Sequence, residues 1–383
     1  MCGTGQLCPY TGTNSPFPET FWGAKLLSRL KAYSMIFNEK TGGQLREKGL
    51  PGIYDLKKIW HPSWFQGNRR KKNYFEGWYF KLVSHDLSQA WAFIPGISLN
   101  NADEHSFIQV IDGNTGKTWH YRFPVNAFNF SKETFNVRIG ANHFSSKGMY
   151  LSLNDHTGTF EGKVMFTNTT PFRASLLKPG IMGWYRYIPF MECYHGVVSM
   201  DHLISGTLDI QGQTIDFSDG RGYMEKDWGV SMPKAWIWMQ TNHFSETGTS
   251  FMLSLADVPL IGKTFPGFLG FIHFNGSHRL FATYTGSKIT SLKGSDRQVW
   301  LSVEDKDMTL EIRGEKTRQA IKQIEQGALK APVSGQMSRI IHESMLATIH
   351  VRLTSKQGNI LFEDTGQRAG LEMVGDISLL NKR

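Results

Sequence analysis

Residues 222–229 read GYMEKDWG, and residues 236–242 read WIWMQTN. Both segments are rich in aromatic residues, as β-strands are. In an extended strand alternate side chains share a face, so Tyr223, Glu225 and Asp227 should point the same way. Two carboxyl groups that enter an apolar cavity cannot both stay ionised cheaply, and the one that keeps its proton can serve as an acid. The pattern predicts either such an acid site or, alternatively, a solvated charged turn or an ion-pair clamp.

The second segment combines aromatic rings and amides on one strand face. Large rings mixed with amides suit a ligand-binding wall better than a dry core, because a buried amide needs a hydrogen-bond partner. The alternative is that the rings lie in the core while the amides bond to neighbouring backbone. The predicted substrate-binding residues of the two segments are Tyr223, Trp228, Trp236, Trp238, Gln240 and Asn242.

Two further segments contribute candidate residues. Residues 192–202 read ECYHGVVSMDH, in which His195 is either a proton shuttle or a satisfied core residue. Residues 75–80 read FEGWYF and place Glu76 and Trp78 on one strand face. Both are candidate ligand contacts. Glu76 is either a buried acid or an ordinary edge-strand charge.

The sequence lacks the motifs of metal and nucleotide sites. Cys193 and His195 could ligate a metal, but no CxxC or HxxxH pattern completes a ligand set. No phosphate loop of the GxGxxG or Walker type is present either. We therefore predict no metal and no other cofactor.

The 383-residue chain carries a formal net charge of +9, with its Lys and Arg residues scattered. No zinc-finger, RNP-like or helix-turn-helix signature accompanies this charge, which argues against nucleic acid as a partner. The remaining interpretations are a solvated basic surface or weak attraction to an anionic membrane or an acidic ligand. The three cysteines form no disulfide pattern, which is typical of a reducing compartment.

The first 60 residues differ in character from the rest. Apolar residues recur at helical spacing between residues 18 and 37, which predicts a helix packed on the protein body or, alternatively, lying on a membrane. Residues 1–20 lack the features of a secretory signal, and no apolar run reaches the ~18 residues that a membrane span needs. We expect a cytoplasmic protein, with peripheral contact at the inner face of the membrane as the alternative.

From residue 74 onward, short runs rich in Val, Ile, Phe, Tyr and Trp alternate with Gly, Asn, Asp and Ser. Such runs are typical of an antiparallel sandwich or barrel. A faint internal echo between residues 78–94 and 236–254 indicates two barrels in tandem. We predict a mainly β protein with an N-terminal helical or irregular segment at residues 1–60, a first barrel at residues 61–215 and a second at residues 216–383.

Four separated pieces of the chain resemble the tocopherol cyclase family. The specific piece is GYMEKDWG with the following WIWMQTN, and the others are FEGWYF, YHGVVS at residues 194–199 and AGLEMVGD at residues 369–376. The resemblance implies two tandem lipocalin-like antiparallel barrels and the cofactor-free cyclisation of a prenylated quinol to a chromanol. Without a plastid transit peptide, the chain resembles a bacterial member. The expected partner is a hydrophobic small molecule, an isoprenoid or a prenylquinol.

The chemistry that the resemblance implies begins when a neutral acid in a dry site protonates a prenyl double bond. Asp227 or Glu225 is the candidate acid, and His195 is the candidate to receive the returning proton. Gln240 and Asn242 are expected to orient the quinol oxygens. Three alternatives stay open: a non-catalytic carrier of a hydrophobic ligand, a hydratase or lyase acting on an isoprenoid, and a two-barrel scaffold with an interaction role.

Overall fold

Two successive antiparallel sheets make up most of the protein. The computed structural model describes residues 42–189, 191–260, 263–318 and 328–381. Most of the predicted N-terminal segment, including the helical pattern at residues 18–37, lies outside the described residues. Its described part contains one short helix, α1, at Ile53–Lys57. In the described part of the chain, no helix is both long and apolar enough to cross a bilayer.

The first sheet is built from twelve of the described strands. Their bounds are β1 Tyr74–Val83, β2 Ala90–Leu99, β3 His105–Asp112, β4 Thr118–Phe123, β5 Phe128–Phe130, β6 Asn136–Ile139, β7 Asn142–Ser145, β8 Gly148–Asp155, β9 Gly158–Thr167, β10 Cys193–Ile210, β11 Gln213–Asp216 and β12 Arg221–Gly229. The hydrogen-bonded order is β4-β3-β2-β1-β12-β10-β9-β8-β7-β6-β5, with β11 paired to β10. All of these pairs are antiparallel, and β12 lies between β1 and β10.

The second sheet and a separate hairpin complete the described strands. The strand bounds are β13 Trp236–Thr241, β14 Ser250–Leu260, β15 Lys263–Phe274, β16 Ser277–Ala282, β17 Lys288–Gly294, β18 Gln298–Glu304, β19 Met308–Lys316, β20 Leu329–Val333, β21 Gln336–Ile341, β22 Ser344–Ser355 and β23 Ile360–Val374. The order in the sheet is β16-β15-β14-β13-β23-β22-β19-β18-β17, while β20 pairs with β21. Short 3-10 helices lie at Val125–Ala127, Gly183–Tyr187, Thr283–Thr285 and Ile377–Asn381.

The predicted mainly β architecture, with antiparallel sheets in two successive parts of the chain, is confirmed. The chain passes from the first sheet to the second between Gly229 and Trp236. Lys40–Arg383 forms one compact unit that contains both sheets, so the division into domains at residues 61–215 and 216–383 remains a proposal.

Burial patterns explain where a site can form. Strand β8 alternates between buried and exposed residues, as a strand does when one face meets a core and the other meets water. Strands β1 and β12 are instead buried along almost their whole length. Both of their faces are therefore covered by other parts of the protein.

Three apolar cores account for this burial. The first core is formed mainly by side chains of the first sheet and the second core mainly by side chains of the second sheet. The third core lies between the two sheets. Strand β12 contributes Met224 to the first core and Tyr223 to the third, because neighbouring side chains in a strand point to opposite faces. Strand β1 divides in the same way between Trp78 and Tyr79. The third core is where side chains from both sheets meet.

Candidate active site

A cavity lies between the two sheets, within the third core. Its volume is about 200 Å³, whereas a single water needs roughly 10–15 Å³ on the same measure, so there is room for an organic molecule. Aromatic side chains form much of its wall, among them Tyr79, Phe107, Tyr185, Trp236, Trp238 and Phe268. Such a wall suits an apolar ligand.

Strand pairing brings the predicted acids and His195 to one wall of this cavity. In the register of β12 with its two neighbours, Asp227 lies opposite His195 on β10 and opposite Gly77 on β1. Gly77 has no side chain to cover Asp227, and both residues line the cavity. Glu225 lies two residues earlier on the same strand face and lines the cavity as well.

His195 lies between the two carboxyl groups. Its Nδ1 is 2.8 Å from Asp227 Oδ1, and its Nε2 is 3.5 Å from Glu225 Oε2. Burial alone would lower the pKa of His195, but the charges of Glu225 and Asp227 outweigh burial and raise this pKa to about 9. The imidazole is therefore a cation at neutral pH. It can receive a returning proton only after giving up the one it holds.

Glu225 is the carboxyl group most enclosed by hydrogen-bond donors at this wall. Its Oε2 accepts a hydrogen bond of 2.6 Å from the Tyr223 hydroxyl and one of 3.2 Å from Trp238 Nε1. Burial raises the pKa of Glu225 to about 7, with the His195 cation opposing the rise and the charge of Asp227 adding to it. A substantial fraction of Glu225 therefore carries a proton at neutral pH.

The second sheet adds two cavity carboxyl groups that sequence reasoning missed. Glu372 on β23 accepts a 2.6 Å hydrogen bond from Trp236 Nε1, and Glu343, just before β22, accepts one from the Tyr79 hydroxyl. Burial raises the pKa of Glu343 to about 7 and raises that of Glu372 well above its ordinary range. Burial therefore favours the uncharged form of Glu372. Glu372 lies in AGLEMVGD, one of the four segments that resemble the tocopherol cyclase family, whereas no pattern in the local sequence distinguishes Glu343.

Gln240 lies further along β13 and Asn242 follows this strand, and both are absent from the described residues that line the cavity. Lys81 Nζ donates to Gln240 Oε1 at 2.9 Å, and Gln240 Nε2 donates to Asn242 Oδ1 at 3.4 Å. Asn242 Nδ2 then donates to Asp201 Oδ1 at 2.8 Å. All four side chains are buried. The two amides thus belong to a polar chain between the sheets, and the ligand wall expected of them stays a prediction.

Glu76, Trp78 and Trp228 lie on the other faces of β1 and β12, towards the first core. Lys226 Nζ is 2.5 Å from Glu76 Oε1, and both side chains are fully buried. The Glu76 carboxylate also accepts hydrogen bonds of 2.9 to 3.0 Å from the backbone N–H groups of residues 66 and 67. These partners tie an irregular segment to the sheet. Their neighbours in β1 and β12 line the cavity instead, and the ligand contacts expected of these three residues stay a prediction.

His195, Glu225 and Asp227 are also the residues that could hold a metal ion, because one ligand atom from each lies within 4.8 Å of the others. The imidazole, however, uses Nδ1 towards Asp227 and Nε2 towards Glu225. The two carboxylates therefore contact different ring nitrogens, and a protonated imidazole has no free lone pair to offer a metal ion. This geometry fits proton sharing better than metal binding.

The Tyr223 hydroxyl provides a direct test of the charge on Glu225. We expect Tyr223→Phe to raise the pKa of Glu225 above about 7, by about one unit, because the lost hydrogen bond stabilises the ionised form. Infrared titration of the protonated carboxyl band, assigned with Glu225→Gln, measures this pKa. Tyr121→Phe is the matched control, because that hydroxyl donates to Gly158 O in the first core. An unchanged or lowered pKa in Tyr223→Phe contradicts the account.

Comparison with known proteins bears on the same residues. A family model described as tocopherol cyclase-like matches residues 168–375, more than half of the chain. The chain belongs to the tocopherol cyclase-like family. The resemblance found in the sequence is thereby confirmed, and His195, Glu225, Asp227, Glu343 and Glu372 all fall within the matched region.

Two curated relatives of this family member are plant proteins. The tocopherol cyclase of Zea mays, described as chloroplastic, is 24% identical over 208 residues, which cover 50% of this chain and 41% of that protein. A protein of Oryza sativa subsp. japonica named "Probable tocopherol cyclase, chloroplastic" is 30% identical over 110 residues, or 27% of this chain and 23% of that protein. The chain thus spans less than half the length of these curated relatives.

Solved structures bear on the fold of this family member. CghA with Sch210972 aligns with a TM-score of 0.50 at 9% identity, covering 88% of this chain and 98% of that chain. Kievitone hydratase from Nectria haematococca aligns with a TM-score of 0.44 at 11% identity, covering 88% and 97%. At such low identity the likeness to CghA concerns the fold alone.

Proposed function

We propose that this tocopherol cyclase-like protein protonates a carbon–carbon double bond of a prenylated quinol, or of a related isoprenoid, and closes a ring without a cofactor. The observation that carries the proposal is one protonatable carboxyl, Glu225, held by Tyr223 and Trp238 on the wall of an aromatic cavity. Protonation of an alkene requires a buried carboxyl that keeps its proton near neutral pH.

The reaction balances without an outside reagent. Glu225 gives its proton to the less substituted carbon of the double bond, and a tertiary cation forms at the other carbon. The rings of Tyr79, Trp236 and Trp238 stabilise this cation by about 0.5–2 kcal/mol each. A quinol hydroxyl held nearby attacks the cation, a carbon–oxygen bond forms, and the hydroxyl proton passes to the Glu225 carboxylate. The acid is restored, and the product is an isomer of the substrate.

The other ionisable groups have supporting roles in this proposal. Asp227 holds the imidazolium of His195 through the 2.8 Å contact, and the cation stabilises the Glu225 carboxylate that forms when the proton leaves. Burial raises the pKa of Glu372, which favours the protonated form, and in that form Glu372 can donate a hydrogen bond to a ligand oxygen. Together with Glu343, it can orient a ligand oxygen at the cavity wall.

The comparisons support cyclisation as the outcome. The two curated relatives are named tocopherol cyclases. The part of the chain that matches the family model contains the acid wall, by which we mean His195, Glu225 and Asp227, and also the two carboxyl groups of the second sheet that line the cavity. Each sheet contributes part of the cavity, so a ligand must lie between them. A prenylated quinol supplies both an apolar tail for the aromatic wall and hydroxyl groups for the carboxyl groups.

Product mass tests the proposal. We expect incubation with prenylated hydroquinones of different tail length to give products of unchanged mass that have lost one phenolic hydroxyl and the double bond. Mass spectrometry and proton NMR measure both. Reactions without protein are the control. A product heavier by one water contradicts cyclisation and indicates a hydratase, while a bound compound that emerges chemically unchanged indicates a carrier.

A further inference from the structure

Residues 170–189, which we call the cap loop, cover the cavity. Met182 and Tyr185 of this loop line the cavity, and Phe172 and Ile181 are buried in the third core. The loop is joined to the first sheet by the Thr170 N–H, which donates to Asp201 O at 2.9 Å. It is joined to the second sheet by the Tyr284 hydroxyl, which donates to Ile181 O. The inner side of the loop is thus part of the ligand site.

The outer side of the cap loop is also apolar, yet it faces solvent. The exposed fractions are 74% for Leu176, 82% for Leu177, 51% for Trp184 and 45% for Tyr187. The Tyr187 hydroxyl donates a hydrogen bond to Leu176 O, which joins the last part of the loop to its first half. An exposed cluster of leucine and aromatic side chains on a structured loop is typical of a surface that meets an apolar partner.

Helix α1 and the residues around it extend this surface. Trp60 Nε1 donates to the Tyr187 hydroxyl at 3.1 Å, which links the segment after α1 to the cap loop. Leu50, Ile53 and Leu56 on this segment are 91%, 73% and 59% exposed. Seven of the twelve large apolar side chains that are exposed among the described residues therefore belong to α1, its flank and the cap loop.

Charge indicates the kind of partner. Between Thr169 and Glu192 the sequence contains no acidic residue, and its basic residues Arg173 and Lys178 are exposed, whereas Arg186 is directed inward to Gln66 Oε1. Exposed leucines with Trp and Tyr, next to basic side chains, match the boundary between headgroups and acyl chains of an anionic membrane. A protein partner or a second copy of this chain would not by itself require this combination of charge and interfacial aromatics.

We propose that the cap loop and α1 dock this protein on an anionic lipid surface, so that an apolar ligand passes from the membrane into the cavity beneath the loop. The docking surface stands on its exposed side chains and charge, while the passage of ligand rests on the proposed function. The helical pattern at residues 18–37 lies outside the described residues and plays no part in this proposal.

Vesicle binding of the full chain tests the docking surface. We expect the protein to sediment with vesicles of phosphatidylcholine and phosphatidylglycerol, and less with phosphatidylcholine alone. The triple variant Leu176→Ser, Leu177→Ser, Trp184→Ser should bind the anionic vesicles about tenfold more weakly or worse. The matched control is Trp300→Ser, Ile360→Ser, Leu361→Ser, which changes the same number of exposed apolar side chains, one Trp among them, on the second sheet and should bind like the unmodified protein.

Several outcomes overturn the docking proposal. One is an unmodified protein that does not bind anionic vesicles, and another is a loop variant that binds them as well as the control does. A loop variant that loses self-association in sedimentation velocity, without a loss of vesicle binding, identifies a second copy as the occupant instead. Because vesicle binding is measured without turnover, its failure leaves the proposed cyclisation standing. The loop variant should also keep its activity on detergent-dispersed substrate.

Discussion

Glu225→Gln is expected to lower kcat/KM for ring closure by about a thousandfold, the central value for loss of a general acid. The amide keeps the size of the carboxyl group and can still meet Trp238 Nε1, but it has no proton acidic enough to transfer to an alkene. The measurement is kcat/KM of both proteins on one prenylated hydroquinone. Circular dichroism and ligand binding should match the unmodified protein, because the cavity wall keeps its shape.

The pH dependence of kcat/KM should also reflect the protonation of Glu225. The pKa of Glu225 lies near 7 because of burial, so its acid form disappears as the pH rises through 7, and kcat/KM should fall about tenfold for each pH unit above that. This limb should be missing from the residual activity of Glu225→Gln. Glu363→Gln, at a half-exposed carboxyl on the second sheet, is the control and should leave the profile unchanged. Full activity in Glu225→Gln moves the acid elsewhere, with Asp227→Asn as the next variant.

Glu76→Gln should lower the free energy of unfolding by about 3–5 kcal/mol, the cost of breaking a buried ion pair. The change leaves the Lys226 ammonium buried without its counter-ion. It also weakens the hydrogen bonds that two backbone N–H groups donate to the Glu76 carboxylate. Urea denaturation followed by tryptophan fluorescence measures the difference.

The same surface carboxyl is the control for this stability prediction. Glu363 is 39% exposed and pairs with His350 and Arg352 at the surface, so Glu363→Gln should cost no more than about 1 kcal/mol. An altered ligand affinity in Glu76→Gln at unchanged stability would contradict the structural role of Glu76. It would restore the ligand contact that the sequence pattern suggested.

The two-residue period of β12 could be predicted from the sequence because it is a local property of the chain. The pattern GYMEKDWG places Tyr223, Glu225 and Asp227 on one face, and the structure has the same division. It also brings His195 to the same wall, through a register between β10 and β12 that no local pattern contains. The acid wall was therefore predictable in its parts, whereas its assembly depends on strand pairing.

The remaining differences arise where a strand is covered on both sides. For β1 the pattern FEGWYF defines two faces but does not say which one meets the cavity, and the structure chooses Gly77 and Tyr79 over Glu76 and Trp78. Position along a strand matters as well, because Gln240 shares a face with Trp238 and yet lies beyond the cavity wall. Glu343 could not be predicted, since its partner Tyr79 is 264 residues away in sequence.

Turnover in deuterium oxide tests most directly whether a carboxyl of this cavity protonates a bound double bond. Exchangeable carboxyl protons become deuterons in this solvent, so each product molecule should gain one carbon-bound deuterium. The deuterium should lie on the former alkene carbon that is adjacent to the carbon bearing the new ether oxygen. Deuterium NMR and mass spectrometry locate and count it. Ring-closed product with no carbon-bound deuterium contradicts proton transfer from Glu225.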